Sequence, residues 1–267
     1  MDIPCLSSIN RIKRRYHTGE EPVLVECNDR QSYICKYMRS SSSAFKLACE
    51  LVGAILAKIW GINIPEPAFV RIKRIDWPHY GSINFSAPSF GTRLIPEAID
   101  ITAVSYAKIK ESDSLRRQLI LIALFDIWIG NEDRNFHNSN LLYNLQSHNL
   151  IAIDHGCIFN TATFDYNLSL LTSNETILQS DLAYHILKGI FPDQLVSMIE
   201  ELRIHYGKSV SLSREACNSI VGQLPSEWNV PADMVVRKLM QLFDPVWEEN
   251  CWNAFLEMIG DCKYVQN

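Results

Sequence analysis

The chain has 267 residues, of which 47% are hydrophobic and 21% are charged, and its formal net charge is -5. This composition is ordinary for a globular protein and excludes a disordered, collagenous or coiled-coil chain. The negative charge argues against binding of nucleic acid over the whole surface, so we expect no direct nucleic-acid partner.

Four basic residues crowd the N-terminal segment: Arg11, Lys13, Arg14 and Arg15. The simpler interpretation is a solvated face. The alternative is a contact for an acidic partner or for a nucleotide phosphate.

The next segment predicts a β-hairpin. Residues 23–26 and 32–38 are rich in β-forming residues, and the polar residues 28–31 between them indicate a turn. Alternate side chains of a strand share a face, which places Lys36 with Ile34 and Met38 on an otherwise apolar face. A lysine is costly to bury there unless a negative charge meets it. The sequence therefore predicts an acidic partner for Lys36.

A helix is predicted over residues 44–60, where apolar residues repeat at helical spacing. The serines at 40–43 are suited to cap it, and Gly61 to end it. Glu50 flanks the apolar stripe and is placed to reach inward. Strands are predicted at 68–72 and 92–95, with a loop rich in Pro, Gly and Ser at 76–89.

A second helix is predicted over residues 115–129 and is stopped by Gly130. The polar loop 130–138 (GNEDRNFHN) follows at once, and two short apolar strands are predicted at 141–143 and 150–153. Because these strands form a hairpin, they bring Asn138 close to Asp154, which leaves the second strand. Beyond residue 173 the chain is predicted to be helical, with apolar spacing at 182–190, 195–202 and 235–243.

The loop and the acid after the hairpin form a set with chemical meaning. Mg²⁺ is a hard cation that takes oxygen ligands. A phosphoryl-transfer site needs such ligands and one carboxylate aimed at the nucleophile. Asp133, an amide five residues later at Asn138, and the second acid Asp154 follow the order of the kinase template.

Simpler roles compete for these loop residues. Asp133 alone would more often be a turn or capping residue, and Asn140, whose spacing does not fit a ligand, is expected to bond within the loop. Asp126 is interpreted as a brace for the loop. Arg134 is expected to anchor the loop or to neutralise a carboxylate. His137 and His155 are interpreted as satisfied loop histidines, because nothing else favours zinc.

The eight cysteines include no Cys-x-x-Cys pair, so a zinc site is not expected. Reduced thiols are typical of a cytosolic protein. The longest apolar run, residues 119–125, is far shorter than the roughly 20 residues needed to span a bilayer, and no N-terminal stretch resembles a signal peptide. We therefore expect a cytoplasmic protein without a membrane span.

At these positions the chain resembles the HipA-like kinases, a branch of the protein-kinase and phosphoinositide-kinase superfamily. The resemblance is carried by residues 32–37 (SYICKY), 50–51 (EL), 61–67 (GINIPEP), 90–93 (FGTR), 130–140 and 151–156 (IAIDHG). It implies a two-lobed, protein-kinase-like α+β fold. Residues 1–95 would form a small β-rich N-lobe with one main helix, and residues 96–267 a mostly helical C-lobe.

The resemblance also implies roles for individual residues. Lys36 would hold the α- and β-phosphates of ATP and pair with Glu50, and Asp133 would be the catalytic acid facing the acceptor hydroxyl. Asn138 and Asp154 would bind Mg²⁺. The strand at 90–95 would be the hinge that offers backbone groups to adenine, namely those of Arg93, Leu94 and Ile95.

The chain departs from the family pattern in two places. The turn before the lysine strand, residues 28–32, was expected to cover the phosphates but has no glycine. Arg30 in this turn is a candidate phosphate contact, and the missing glycine also suggests weak nucleotide binding or lost activity. Asn135 stands where related kinases often carry histidine.

These implications lead to an expected function. The chain would be an ATP- and Mg²⁺-dependent kinase acting on serine or threonine of a protein substrate. The alternatives are a pseudokinase that serves as a binding module, or a lipid kinase or AMP-transferase on the same fold. An antitoxin-like protein is a further expected partner, as in toxin-antitoxin pairs.

Overall fold

A six-stranded sheet forms the N-terminal part of the computed structural model, which describes residues 2–78 and 83–261. Its strands are β1 (Cys5–Ser7), β2 (Arg14–Arg15), β3 (Val23–Glu26), β4 (Ser32–Lys36), β5 (Pro67–Arg71) and β6 (Ser89–Arg93). They lie in the order β1-β5-β6-β4-β3-β2, with β1 parallel to β5 and the remaining neighbours antiparallel. The predicted hairpin is therefore confirmed as β3 and β4, and the predicted strand at 68–72 as β5.

Strand β6 is displaced from its predicted range. It begins at Ser89 and ends at Arg93, whereas residues 92–95 were expected. Glycine is usually depleted in strands, but Gly91 is required at this position. A Cβ there would lie 2.8 Å from Cγ2 of Val70 and 3.2 Å from Sγ of Cys35. Only glycine leaves room for these neighbours, so the strand contains Gly91. The predicted loop at 76–89 is only partly visible, because residues 79–82 lie outside the described residues.

Helix α1 (Ser41–Ile59) follows β4 and confirms the helix predicted at 44–60. Ser40 is its N-cap and forms a capping box with Ser43, which satisfies backbone donors that a helix leaves unpaired. The chain then turns at Gly61, whose φ of 75° suits glycine. Glu50 lies in the middle of this helix and is buried.

Helix α2 (Asp113–Ile129) is buried from Leu119 to its end except for Leu121. Gly130 ends it in the left-handed conformation, with φ 66°, as predicted. Strands β7 (Ala98–Asp100), β8 (Leu141–Asn144) and β9 (Leu150–Ala152) form an antiparallel three-stranded sheet in that order.

A left-handed turn follows the second sheet. It lies in α3 (Ile158–Ala162), where four consecutive residues have φ between 53° and 60°: Phe159, Asn160, Thr161 and Ala162. None of them is glycine, although left-handed turns disfavour other residues by about 1–2 kcal/mol each. No sequence pattern predicted this turn.

Four helices complete the C-terminal part and confirm its predicted helical character: α4 (Asp181–Leu187), α5 (Pro192–Val221), α6 (Ala232–Leu242) and α7 (Pro245–Gly260). Helix α7 had no sequence prediction of its own. Within the described ranges, no helix is both long and apolar enough to cross a membrane. Along the chain, residues 94–97 separate the last strand of the first sheet from the first strand of the second. The division into domains 1–95 and 96–267 stays a prediction.

One hydrophobic cluster joins α1 to α2 and α5. Trp60, at the end of α1, is fully buried against the rings of Phe125, Trp128 and Tyr206. A smaller cluster on the outer face of the six-stranded sheet contains Tyr33, Cys35 and Tyr37 among others. As predicted from strand alternation, Lys36 lies on the opposite face from these three residues.

Candidate functional site

Lys36 is the centre of a cluster of three carboxylates. Its Nζ donates to Oδ1 of Asp154 at 2.6 Å, to Oε1 of Glu50, and contacts Oε2 of Glu20 at 2.9 Å. One carboxylate oxygen from each of the three acids lies within 4.8 Å of the other two. Only 15% of the lysine side chain is exposed. The acidic partner predicted for Lys36 is therefore present, and it comes from three separate segments of the chain.

Glu50 is the most deeply buried of these acids. Burial raises its pKa to about 7, although the Lys36 ammonium opposes this shift. Its second oxygen, Oε2, accepts a hydrogen bond from the backbone N–H of His155 at 3.0 Å. Glu50 therefore ties α1 both to Lys36 and to the segment that carries Asp154.

Asp154 stays ionised. Burial disfavours its charge, but the Lys36 ammonium outweighs that effect and lowers the pKa of Asp154 to about 2. Its backbone is left-handed, with φ 59°, which turns the chain immediately after β9. A Cβ on Gly156 would lie 3.2 Å from Oε1 of Glu50, so a glycine leaves the acids room at this point.

Asp133 lies in the loop after α2 and is held by two amides. The side-chain nitrogen of Asn138 donates to Oδ1 at 3.2 Å, and that of Asn140 to Oδ2 at 2.8 Å. Asn140 thus bonds within the loop, as expected. Its carbonyl oxygen also accepts from the backbone N–H of Ile153 at 3.0 Å. Asn140 therefore joins Asp133 to the residue that precedes Asp154.

The loop is fixed from beneath by Arg134, whose side chain is fully buried. Its guanidinium forms an ion pair with Asp126 on α2 and donates to the carbonyl oxygen of Ile153 at 2.9 Å. Asn131 donates to the same carboxylate oxygen of Asp126 at 2.9 Å. Asp126 and Arg134 are therefore buried beneath the loop and brace it, as predicted.

Burial raises the pKa of the Cys157 thiol to about 11, and the negative charges of Asp133 and Asp154 add to the rise. His155 is buried, and burial and Arg134 hold its pKa well below the usual value. His155 is therefore a neutral packing residue, and His137 is an exposed loop residue.

The structure does not bring Arg30 to the site. Arg30 is exposed in the turn between β3 and β4, at the end of β4 opposite Lys36. Lys36 follows Arg30 by six positions, an offset of up to about 20 Å along an extended strand. The turn at residues 28–32 was expected to cover the phosphates held by Lys36, and this expectation is corrected for the same reason.

The loop that does lie over Lys36 joins β2 to β3 and covers residues 16–22. It contains Glu20, which contacts Lys36, and Gly19 beside it. A Cβ on Gly19 would meet no atom within 4 Å, so the loop is open at this point. The sequence prediction missed this loop because β2 has only two residues, which is too short for a strand pattern. Glu20 carried no signal, since a loop glutamate is usually solvated.

The basic segment before this loop is paired within the protein. Lys13 forms an ion pair with Glu26 at 2.7 Å, Arg15 pairs with Glu21, and the guanidinium of Arg14 lies over the ring of Tyr16. These contacts favour the interpretation of a solvated, internally neutralised face.

The predicted hinge residues lie along β6 and just after it. Arg93 pairs with Tyr33 in the sheet, and its guanidinium donates to Gln31 at 3.1 Å. The backbone N–H groups of Arg93 and Leu94 donate to Glu66 and Ser32. These two donors are therefore already used within the protein, and the hinge role of the three residues stays a prediction.

Comparison with known proteins gives the family. A family model described as HipA-like kinase matches residues 9–248. The crystal structure of a Helicobacter pylori proinflammatory kinase, CtkA, is similar with a TM-score of 0.56 and 14% sequence identity, covering 95% of this chain and 99% of that chain. A structure of the golgi casein kinase matches at a TM-score of 0.45 and 11% identity, over 97% of this chain and 75% of that one.

No curated protein matches the sequence. The likeness to CtkA supports the expected protein-kinase-like α+β fold, and the family match covers most of the chain. The chain belongs to the HipA-like kinase family.

Proposed function

We propose that the chain is an ATP- and Mg²⁺-dependent kinase that transfers a phosphoryl group to a serine or threonine hydroxyl of a protein. The observation that carries this proposal is the buried contact of Lys36 with Glu50 and Asp154, together with the link through Asn140 that joins Asp133 to the residue before Asp154. Kinase chemistry needs little covalent help and depends on positioning and charge neutralisation.

Lys36 supplies the positive charge for the phosphates. Burial disfavours its ammonium, but the carboxylates of Glu50, Asp154 and Glu20 raise its pKa well above the usual value. It therefore stays charged at neutral pH. Glu50 fixes the position of the ammonium, so that little orientation has to be gained when a nucleotide binds.

The residues present fit a magnesium ion. Asp154 offers an ionised carboxylate, and Asn138 uses its amide nitrogen for Asp133 and keeps its amide oxygen. Hard oxygen donors of this type suit Mg²⁺. When bound, the ion would neutralise charge on the phosphates.

Asp133 is proposed to receive the hydrogen bond of the acceptor hydroxyl. Each of its carboxylate oxygens accepts one amide hydrogen bond and retains capacity for another. The two amides fix its direction, which is what a residue that orients a nucleophile requires.

Binding is tested by thermal unfolding with Mg²⁺ and ATP together, each alone, and neither. Ligand at about 100 times its Kd stabilises a protein by about 2.7 kcal/mol. We expect a rise in Tm of several degrees for the natural chain with both ligands, and none for Asp154→Asn. Absence of metal-dependent stabilisation of the natural chain at millimolar nucleotide contradicts the proposal.

Transfer is tested with γ-labelled ATP and a mixture of protein acceptors. We expect Asp133→Asn to keep the Mg-ATP stabilisation and to lose label incorporation. Equal incorporation by both proteins would contradict the role of Asp133. Label on lipid rather than protein would indicate the lipid-kinase alternative, and an acceptor mass increase equal to AMP would indicate AMP transfer.

The binding-module alternative predicts nucleotide or partner binding with no transfer at all. It was favoured by the lack of a glycine over Lys36, and that argument is weakened because Gly19 lies in the covering loop. The retained acid Asp133 further supports catalysis.

A further inference from the structure

The carboxylate of Glu20 lies between two lysines. Its Oε2 is 2.9 Å from Nζ of Lys36, and its Oε1 is 3.2 Å from Nζ of Lys46. Glu20 belongs to the loop over Lys36, residues 16–22. Two ammonium groups around a pair of oxygen atoms is also the arrangement that recognises a phosphate group.

Lys46 is a residue of α1, one helical turn before Glu50, so both side chains lie on the same side of the helix. Its side chain is 40% exposed. Its ammonium meets the carboxylate of Glu20, which also contacts Lys36. Lys46 therefore lies at the edge of the cluster around Lys36.

The charges of the cluster favour the departure of one acid when a polyanion arrives. Three carboxyl groups face two ammonium groups, so the cluster has no spare positive charge for a polyanion while all three acids stay in place. Glu50 and Asp154 each accept a backbone hydrogen bond from the segment after β9. Among the described residues, the Glu20 carboxylate forms ion pairs with the two lysines only, and Gly19 beside it has open space. Glu20 is thus the acid that can move.

We propose that Glu20 is an intramolecular stand-in for a nucleotide phosphate, and that Lys46 is a second phosphate-contacting residue. In the ligand-free protein, Glu20 occupies the position between Lys36 and Lys46 and competes with the nucleotide. When the nucleotide binds, the loop lifts and both lysines contact phosphate oxygens. This inference rests on the proposed nucleotide binding and adds an autoinhibitory contact and a further binding residue to it.

The test is the Kd for Mg-ATP, measured by calorimetry on the full chain. Glu20→Gln removes the competing charge, and we expect the Kd to fall about tenfold, the equivalent of ~1.4 kcal/mol. Glu26→Gln is the control, because Glu26 lies on β3, the strand that follows the loop, and pairs with Lys13 outside the cluster. Its Kd should stay within about twofold of the natural value.

Lys46 is tested in the Glu20→Gln background, where it no longer holds the competing acid. We expect Lys46→Met to weaken Mg-ATP binding about tenfold there. Inorganic tripolyphosphate is the second probe, since it has the phosphates without adenosine, and its Kd should change in parallel. An unchanged Kd for both probes would overturn the assignment of Lys46.

The outcomes separate this inference from the proposed function. If the natural chain binds Mg-ATP and Glu20→Gln binds it equally or more weakly, the stand-in role is wrong and nucleotide binding stands. If no variant binds either probe, nucleotide binding itself fails and the inference fails with it. If only Glu20→Gln binds, the inference is supported and the natural chain is held closed. Unfolding curves for every variant establish that each protein is folded.

Discussion

Gly53 on α1 offers a sharp test of how the site is packed. A Cβ added there would lie 2.9 Å from Cγ of His155 and closer still to its Cβ. Carbon atoms in contact normally lie about 3.5–4.0 Å apart. His155 cannot retreat freely, because its backbone N–H bonds to Glu50 and its ring lies near Arg134. Gly53→Ala should therefore displace the segment that carries Asp154.

The magnitude follows from two opposing effects. Alanine in a helix interior is favoured over glycine by about 1 kcal/mol. Overpacking of a close contact costs about 1–3 kcal/mol. Gly207→Ala provides the reference. Gly207 lies within α5 and is exposed, and a Cβ added there would meet no atom within 4 Å. Gly207→Ala should stabilise the protein, whereas Gly53→Ala should destabilise it or leave it unchanged.

The assay is urea unfolding followed by tryptophan fluorescence. The difference in the free energy of unfolding between the two variants isolates the packing cost, since the helix-propensity gain is common to both, and we expect about 1–3 kcal/mol. Nucleotide binding should weaken for Gly53→Ala only. If both variants gain stability equally, α1 does not press on His155 and the described packing of the site is wrong.

Three further predictions concern the loop and the buried acid. Arg134→Met leaves the buried Asp126 without its ion-pair partner and should lower the free energy of unfolding by about 3–5 kcal/mol. Arg117→Met is the control, because the ion pair of Arg117 is exposed, and it should cost about 0–1 kcal/mol. Similar costs for the two variants in urea titrations would contradict the bracing role of Arg134. Gly130→Ala, at φ 66°, should cost about 1–2 kcal/mol by the same measurement, and no loss would refute the left-handed cap. The pKa of Glu50 is raised from 4.5 to about 7 on folding, so the folded state becomes more stable as pH falls through this range. Between pH 4.5 and 7, the free energy of unfolding of the natural chain should therefore drop by up to about 3 kcal/mol relative to that of Glu50→Gln. A difference that does not change with pH would count against the raised pKa.

Residues whose neighbours obey a simple period were predictable. Strand alternation placed Lys36 on an apolar face and required a negative charge nearby, and the structure supplies three. The apolar repeat of α2 with Gly130 after it predicted the position of the loop that carries Asp133. In each case the signal was local, because a helix or strand imposes its period on adjacent residues.

The remaining features depend on contacts between distant segments. Strand β2 has two residues and exists because β3 pairs with it, so no pattern within it marks a strand. The loop with Glu20 was therefore missed and Arg30 was assigned in its place. The left-handed residues 159–162 oppose their own propensities and are held by tertiary bonds, such as those of Asn160 and Thr161 to Glu132 at 2.9 Å and 2.6 Å. Tertiary context decides such positions.

The burial of Trp60 restricts how the enzyme can be switched. Its carbonyl oxygen accepts a hydrogen bond from Nε2 of His205 on α5 at 2.8 Å, and its ring lies among aromatic rings of the C-terminal helices. An outward swing of α1, carrying Glu50 away from Lys36, would have to pull this indole from the interior. Fully burying a large aromatic side chain is worth about 3 kcal/mol. A rigid-body displacement of α1 is thus a costly way to turn catalysis off. We expect regulation at Lys36 to act through the loop of residues 16–22 instead.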